Sequence, residues 1–317
     1  MPELVSILMP ILNAETSIKK AIESCLAQSY TNLEIIILDN GSTDQSAELI
    51  KSIQNSRIRL IKSETNIGIS AGRNILLKEA KGSFIAWLDA DDEMRENRIQ
   101  KQVDYFHLNP DTDLLGTWIF VEQNQIKKAP LSHPQIGAAL WFKNCMYQPS
   151  MMSRNFYQNE NVFYNETYAN TLEDYELWYR LKDKKKFANI DKPLTHYKLS
   201  TAEELIFKKT KGNFEENLER LWSVKWGEIS ETIAEKDKKL FQYFLYNNKV
   251  LSTQEIDSLS KTLQTIERHF KNNNYSLICS FHRLRLWRNA NVFVKLTNLH
   301  LLLAVFQYPS IQKLHLR

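Results

Sequence analysis

The N-terminal part of the chain alternates apolar runs of strand length with segments whose apolar positions recur at helical spacing. "LVSILMP" (residues 4–10) is followed by Ile18, Ala21, Ile22, Cys25 and Leu26, which fall on one helix face. "LEIIILD" (33–39) gives a second strand, residues 46–53 a helix, "IRLIK" (58–62) a third strand and 71–80 a helix. "FIAWLD" (84–89) gives a fourth strand, before a helix at 98–107. Runs without polar interruption fit strands covered on both faces, and their alternation with helices predicts βαβ units around a mostly parallel sheet. From about residue 201 the pattern changes to helical segments such as "AEELIFKK" and "FEENLERLWSVKW". The expected organisation is an α/β domain over 1–200 and a helical C-terminal extension over 201–317.

Composition narrows this picture. The chain has 317 residues, 43% of them hydrophobic, enough for one large core or two smaller ones. Its 41 Lys and Arg against 37 Asp and Glu leave a charge of +4, which gives no ground for a nucleic-acid partner. Cys25, Cys145 and Cys279 are odd in number and lack metal-ligand spacing, so a reducing, cytoplasmic setting is expected. The N-terminus has no basic region ahead of its apolar run, and Pro10 cuts that run, so neither a signal peptide nor a span is read there.

In open α/β sheets, ligands sit beyond the carboxyl ends of the strands. The polar residues of this chain gather at those ends. Pro10, Asn13 and Glu15 follow the first strand and "DNGSTD" (39–44) closes the second. "NIGISAGRN" (66–74) follows the third strand and "DADD" (89–92) the fourth. Asp89, Asp91 and Asp92 are too close to ionise together without a compensating cation or water, and a hard divalent ion takes oxygen ligands from carboxylates and phosphates alike. An acidic helix start accounts for Asp91 and Asp92 but not for Asp89.

The ordered set "VSILMPILNAE", "EIIILDNGSTD", "NIGISAGRN", "GSFIAWLDADD" and "LEDYELWYRL" resembles the motif series of family 2 glycosyltransferases, which have the Rossmann-like GT-A fold. "TLEDYELWYRL" followed by "THYKLS" resembles those bacterial members that extend lipooligosaccharide, capsule or other surface glycans. The resemblance covers about the first two-thirds of the chain. It implies a UDP-sugar donor held by Pro10, Asn13, Glu15, Asp39, Asn40, Gly41, Arg73, Asp89, Ala90 and Asp91. Asp39 would take the N3–H of uracil, a donor that cytosine lacks. "DAD" resembles the DXD motif, with Asp91 as ligand to Mn²⁺ or Mg²⁺ and Asp89 on the ribose or in the metal shell. Arg73 would add a cation near the phosphates, and Asp92 would cap the following segment.

The same resemblance assigns the general base to Asp174, with inversion at the anomeric carbon, and leaves Glu173 a supporting or acceptor-binding role. Gln148, Ser150 and Trp178 are read as acceptor-side contacts, although large aromatics more often sit in cores, as also for Trp118 and Trp141. Three positions depart from the family pattern. Leu12 stands where an aromatic is usual, Asn40 replaces an aspartate, and Ser200 falls where relatives carry a histidine. His196 lies nearby in a displaced register and is read as structural.

After Glu267 no acidic residue occurs, while Arg283, Arg285, Arg288 and Lys295 lie among Leu286, Trp287, Val292, Phe293 and "LHLLLAVF". Such a mixture suits either a packed helix with a basic side or an anionic membrane surface, where it would meet a lipid-linked glycan acceptor at the inner face of the plasma membrane. The expected activity is transfer of galactose, N-acetylglucosamine or glucose from UDP to a glycan hydroxyl. The alternatives are a sugar nucleotidyltransferase and a non-catalytic glycan-binding protein with a decayed site.

Overall fold

The computed structural model describes residues 2–168, 171–198, 211–246 and 251–270, together with 275, 276, 278, 279 and 282. Ser200 and the basic, apolar stretch from Arg283 onward lie outside the described residues.

The apolar runs become strands β1 (Val5–Ile11), β2 (Leu33–Asn40), β3 (Ile58–Ser63) and β4 (Phe84–Trp87), joined by helices α1 (Ile18–Leu26), α2 (Ser46–Ser52) and α3 (Ile69–Glu79). β1 pairs in parallel with both β2 and β4, and β2 pairs in parallel with β3. All seven residues of β1 are buried, as an interior parallel strand requires. β4 stops at Trp87, which leaves Leu88 and Asp89 to begin the acidic loop.

The chain continues through β5 (Glu93–Met94), α4 (Arg98–Leu108), β6 (Leu114–Phe120), β7 (Ile126–Lys127), α5 (His133–Phe142), β8 (Met152–Arg154), α6 (Glu173–Leu181) and β9 (Phe187–His196). The strand order is β3-β2-β1-β4-β8-β6-β9-β5, with β7 hydrogen-bonded to β6. β8 runs antiparallel to both β4 and β6 and so reverses the sheet direction beside the strand that carries the acidic loop.

Under β1, β2 and β4, the side chains of Ile7, Met9, Ile35, Ile37, Phe84 and Ala86 join Ile18, Ala21, Ile22 and Cys25 of α1 and Ile99, Val103 and Phe106 of α4 in one core cluster. Each large aliphatic side chain fully buried here contributes roughly 1.5–3 kcal/mol. One charge is buried with them. Arg98 is fully buried and donates to the carbonyls of Pro149 at 2.5 Å, Trp87 at 3.0 Å and Met151 at 3.1 Å. Its guanidinium thus fastens the end of β4, and the loop that follows, to the segment entering β8. Burial lowers the Arg98 pKa to about 9, which still leaves it charged at neutral pH.

Three further helices follow: α7 (Lys211–Gly227), α8 (Glu235–Tyr246) and α9 (Thr253–Phe270). The described residues divide into two compact units, one drawn from 2–136 and 145–220, the other from 137–144 and 221–282. The second is organised by an aromatic cluster in which Trp141 meets Trp222 edge-on at 5.3 Å and Trp226 at 5.5 Å, with Phe241 and Phe270 around them. Among the described residues no helix is long and apolar enough to cross a membrane.

Candidate active site

Beyond the carboxyl ends of β1, β2 and β4 lies a cavity of about 830 Å³, within the range of small-molecule sites. Its walls include Pro10, Leu12 and Asn13 after β1, Asn40 at the end of β2, Asn66 and Arg73 from the α3 region, and Asp89, Ala90 and Asp91 after β4. Glu173 closes one side, and Phe120, His196, Tyr197 and Lys198 another. Strand ends far apart in sequence therefore meet at one hollow.

The first two loops are stitched together by their own polar residues. Asn13 N–H donates to Ser42 Oγ, Ala14 N–H to Ser46 Oγ and Glu15 N–H to Asp44 Oδ2, at 3.0, 2.7 and 2.9 Å. In return, Asn13 Oδ1 accepts from Thr43 N–H and Glu15 Oε2 from Gln45 N–H. Glu15 is exposed and does not line the cavity; its carboxylate holds the neighbouring loop. Gly41 adopts φ +83°, and a Cβ there would lie 2.6 Å from the carbonyl carbon of Thr65, so the turn admits no larger residue without a backbone shift.

Asp39 is fully buried outside the cavity lining. Its Oδ1 accepts Ser42 N–H at 2.9 Å, and its Oδ2 has no hydrogen-bond partner among the described residues, with Lys62 Nζ 4.0 Å away. Asn40 exploits both ends of its amide. Nδ2 donates to Asn66 Oδ1 and to the Gly68 carbonyl, both at 3.2 Å, while Oδ1 accepts Ile67 N–H at 3.1 Å. A carboxylate at this position would face two acceptors, so the amide is matched to its surroundings.

Asp89 and Asp91 both face the cavity. Burial, and secondly the negative charge of Asp89, push the Asp91 carboxyl up to about 6, well above an ordinary aspartate. The folded chain consequently retains a proton there that the unfolded chain has already released. Stability drawn from this group is lost as pH rises between about 4 and 6. Asp91→Asn should therefore raise the melting temperature of the ligand-free protein more at about pH 7.5 than at about pH 4, as read by thermal melts across that range.

Arg73 is 4% exposed and sits at the centre of the charges. Nη1 donates to Glu173 Oε1 and Nη2 to Asp89 Oδ1 at 3.4 Å, and the guanidinium lies 5.8 Å from the Trp87 ring centroid and 5.5 Å from that of Tyr164. Asp174, next to Glu173, is half-buried in the first turn of α6, where Oδ1 accepts Tyr175 N–H at 2.6 Å; it is not part of the cavity wall.

Several expected roles are corrected. Trp178 is fully buried with its ring edge-on to Phe187 and presents no face to a sugar. Gln148 and Ser150 are also buried. Gln148 Nε2 donates to Tyr164 Oη at 2.8 Å, and Ser150 Oγ bonds the Thr117 and Tyr147 carbonyls. Trp141 belongs to the aromatic cluster of the second unit. Asp92 does not cap α4, which begins after Asn97; its buried carboxylate accepts Lys198 N–H at 2.9 Å and fixes the chain leaving β9. Sequence patterns gave no sign of Phe120, which stacks on His196 at 4.6 Å in the cavity wall.

Comparison with known proteins gives this geometry a family. Residues 6–177 match the sequence profile described as Glycosyl transferase family 2. The chain is 30% identical to the glycosyltransferase MJ1057 of Methanocaldococcus jannaschii over 89% of its own length and 86% of the relative's. It is 33% identical to the Escherichia coli protein WfaP, named as a UDP-Glc:α-D-GlcNAc-diphosphoundecaprenol β-1,3-glucosyltransferase, over 57% and 71%. Two Haemophilus influenzae glycosyltransferases match at 42% and 32% identity, with the chain spanning 51% and 65% of their lengths. In three dimensions the chain resembles Staphylococcus aureus TarS residues 1–349, solved with UDP-GlcNAc, at a TM-score of 0.58 and 18% identity over 90% of this chain and 88% of that one. The profile spanning the four loops and the first turn of α6, with a relative matched over most of both chains, shows that this protein belongs to glycosyl transferase family 2.

Proposed function

We propose that the protein transfers a hexose from a UDP-sugar to a hydroxyl of a bacterial surface glycan, with inversion at the anomeric carbon, and that it requires a divalent cation. The observation that carries this reading is the acidic pair Asp89 and Asp91 facing the same cavity as Pro10, Asn13, Asn40 and Arg73.

Among the described residues no group of three or more His, Cys, Asp or Glu side chains is arranged to hold a metal by itself. The acidic pair nevertheless suits a hard cation that would take further oxygens from a diphosphate, since two carboxylates face one cavity and burial, then the charge of Asp89, raises the cost of ionising Asp91 without a counter-ion. Asp91 would be the direct ligand and Asp89 a direct or water-mediated one. Bound there, Mn²⁺ or Mg²⁺ would act as a Lewis acid on the leaving nucleotide.

The remaining roles fall to the chain itself. Asp39 Oδ2, which has no hydrogen-bond donor among the described residues, is assigned the uracil N3–H, and because it is buried outside the cavity lining the base reaches it only by displacing part of its cover. Leu12 is 39% exposed at the cavity rim and offers an apolar surface to the base. Asp174 removes the proton from the acceptor hydroxyl as its oxygen attacks the anomeric carbon on the face opposite the nucleotide. An α-linked donor then yields a β-glycoside, in agreement with the β linkage in the name of WfaP. That name and the UDP-GlcNAc bound to TarS favour glucose and N-acetylglucosamine over galactose, and the former supports a lipid-linked acceptor. Such an acceptor would give the basic, apolar C-terminal sequence a use at an anionic membrane surface.

Incubation with UDP-glucose, UDP-N-acetylglucosamine and UDP-galactose, in Mn²⁺ or in EDTA, tests the reading. UDP is expected from one donor in Mn²⁺ only. Turnover undiminished by EDTA would remove the cation from the account.

A further inference from the structure

The sequence "SAGRN" at 70–74 lies in α3 and invites a phosphate-binding role, yet its polar side chains are committed to other parts of the chain, including that of Arg73, which lines the cavity. Ser70, Arg73 and Asn74 are spaced i, i+3, i+4 on α3, which puts them on one helix face, and all three are buried. Each grips the segment that leads into α6. Ser70 Oγ donates to the Tyr168 carbonyl at 2.9 Å. Asn74 forms a reciprocal pair with the backbone of Tyr164, Nδ2 to the carbonyl at 3.0 Å and Oδ1 from the N–H at 2.8 Å, and Nδ2 also reaches Glu166 Oε1 at 2.9 Å. Arg73 completes the series at Glu173, the first residue of α6.

The backbone at the far end of this segment has an unusual conformation. Leu172, the residue before α6, has φ +62°, a left-handed conformation that a branched side chain rarely adopts and that persists only where its surroundings enforce it. Fixing the residue on one side of Asp174 while the chain bends sharply just before it determines where the Asp174 carboxylate can lie.

We propose that Arg73 is a positioning residue: through its fork of bonds to Glu173 and Asp89 it joins the first turn of α6 to the acidic loop and so holds Asp174 at a fixed distance from the bound donor. The inference rests on the proposed transferase reading for the role of Asp174. The physical basis is that a planar guanidinium can hold two carboxylates at set angles, which an ammonium cannot. Trp87 and Tyr164 flank it, and Gln148 bonds the Tyr164 hydroxyl, so its own rotation is restricted. Burial alone would drive the guanidinium toward neutrality, but Glu173 and then Asp89 more than offset this and raise its pKa.

The test uses Arg73→Gln, Arg73→Lys, Glu173→Gln and the double variant Arg73→Gln/Glu173→Gln in the full chain. Three readouts apply: amide hydrogen exchange over residues 171–177, UDP affinity in Mn²⁺, and kcat for the UDP-sugar that the wild type cleaves. Exchange in the first turn of α6 should rise in Arg73→Gln and in Glu173→Gln. kcat should fall by about 100-fold, as expected for loss of reactive alignment. UDP affinity should stay within about threefold in Glu173→Gln and fall far less than kcat in the arginine variants, since Arg73 also lines the cavity. Arg73→Lys should resemble Arg73→Gln, and the double variant should have a kcat no lower than the arginine single because both weaken the same link. Glu173→Gln keeps the test open if the arginine variants do not fold, since it removes the charge that makes this link strong while leaving Arg73 in place beside Asp89. Unchanged exchange near α6, additive losses, or a loss of kcat in the arginine variants that is no larger than their loss of UDP affinity while Glu173→Gln keeps full kcat would overturn the proposal. If no UDP-sugar is cleaved, the transferase reading fails, while the exchange data still decide whether Arg73 fixes α6.

Discussion

Asp174→Asn is expected to abolish measurable transfer while leaving UDP binding almost intact. Asp174 stands in the first turn of α6, outside the cavity wall that would receive the nucleotide, and its Oδ1 accepts the Tyr175 N–H. An asparagine keeps that acceptor and nearly the same volume, so the turn can form unchanged. What it lacks is a lone pair basic enough to take a proton from the acceptor hydroxyl. Loss of a positioned general base typically costs about 10²–10⁴ in rate, whereas loss of negative charge at a helix N-terminus costs only about 0.3–1 kcal/mol of stability. The kcat for UDP release should therefore collapse, while the UDP dissociation constant stays within about threefold. Parallel loss of binding and turnover would place Asp174 in donor binding and remove it as the base.

Asp91→Ala is expected to behave in the opposite way, with binding and turnover falling together. Asp91 and Asp89 face the cavity at the end of β4, and removal of one carboxylate leaves a divalent cation too few protein oxygens for the diphosphate to complete. Because the cation would stabilise the bound diphosphate and the charge that develops on it during transfer, UDP affinity in Mn²⁺ should weaken by at least about tenfold. kcat should fall by at least about 100-fold, in line with the several kcal/mol a Lewis acid supplies. The variant should still fold, because Asp91 is half-buried and its burial destabilises the ligand-free protein at neutral pH.

The contrast between these substitutions shows how much of the site could be read from the chain. β1, β2 and β4 were legible because an interior parallel strand leaves an unbroken apolar run, and the polar residues at their ends mark one face of the sheet. The short strands β5, β7 and β8 were far less legible. Two or three residues carry no periodicity, and their pairing is set by distant partners, as when Glu93 is aligned with His196.

Within the site, the residue types in "DNGSTD" and "SAGRN" were visible while their targets were not. Ser42, Asp44 and Ser46 bond the loop after β1, and Arg73 and Asn74 bond residues 90 or more positions further along. The same blindness left Trp178 undecided. As a large aromatic it could be a sugar platform or a core residue, and the face of α6 bearing Leu177, Trp178 and Leu181 turns into the core. Asn40 reads differently once its partners are known. The amide that replaces an aspartate has two acceptors to satisfy and one donor to receive, so the departure is accommodated by Asn66, Ile67 and Gly68 rather than left as a sign of decay.

The central claim is that the cavity beyond β1, β2 and β4 binds a uridine diphosphate moiety with the help of Asp91. The direct measurement is a calorimetric titration of UDP into the wild type and Asp91→Ala, each in Mn²⁺ and in EDTA. The account predicts one saturable site in the wild type with Mn²⁺ and an affinity at least about tenfold weaker in EDTA or in the variant. Equal UDP affinity in all four titrations, or no binding by the wild type in Mn²⁺, would contradict it.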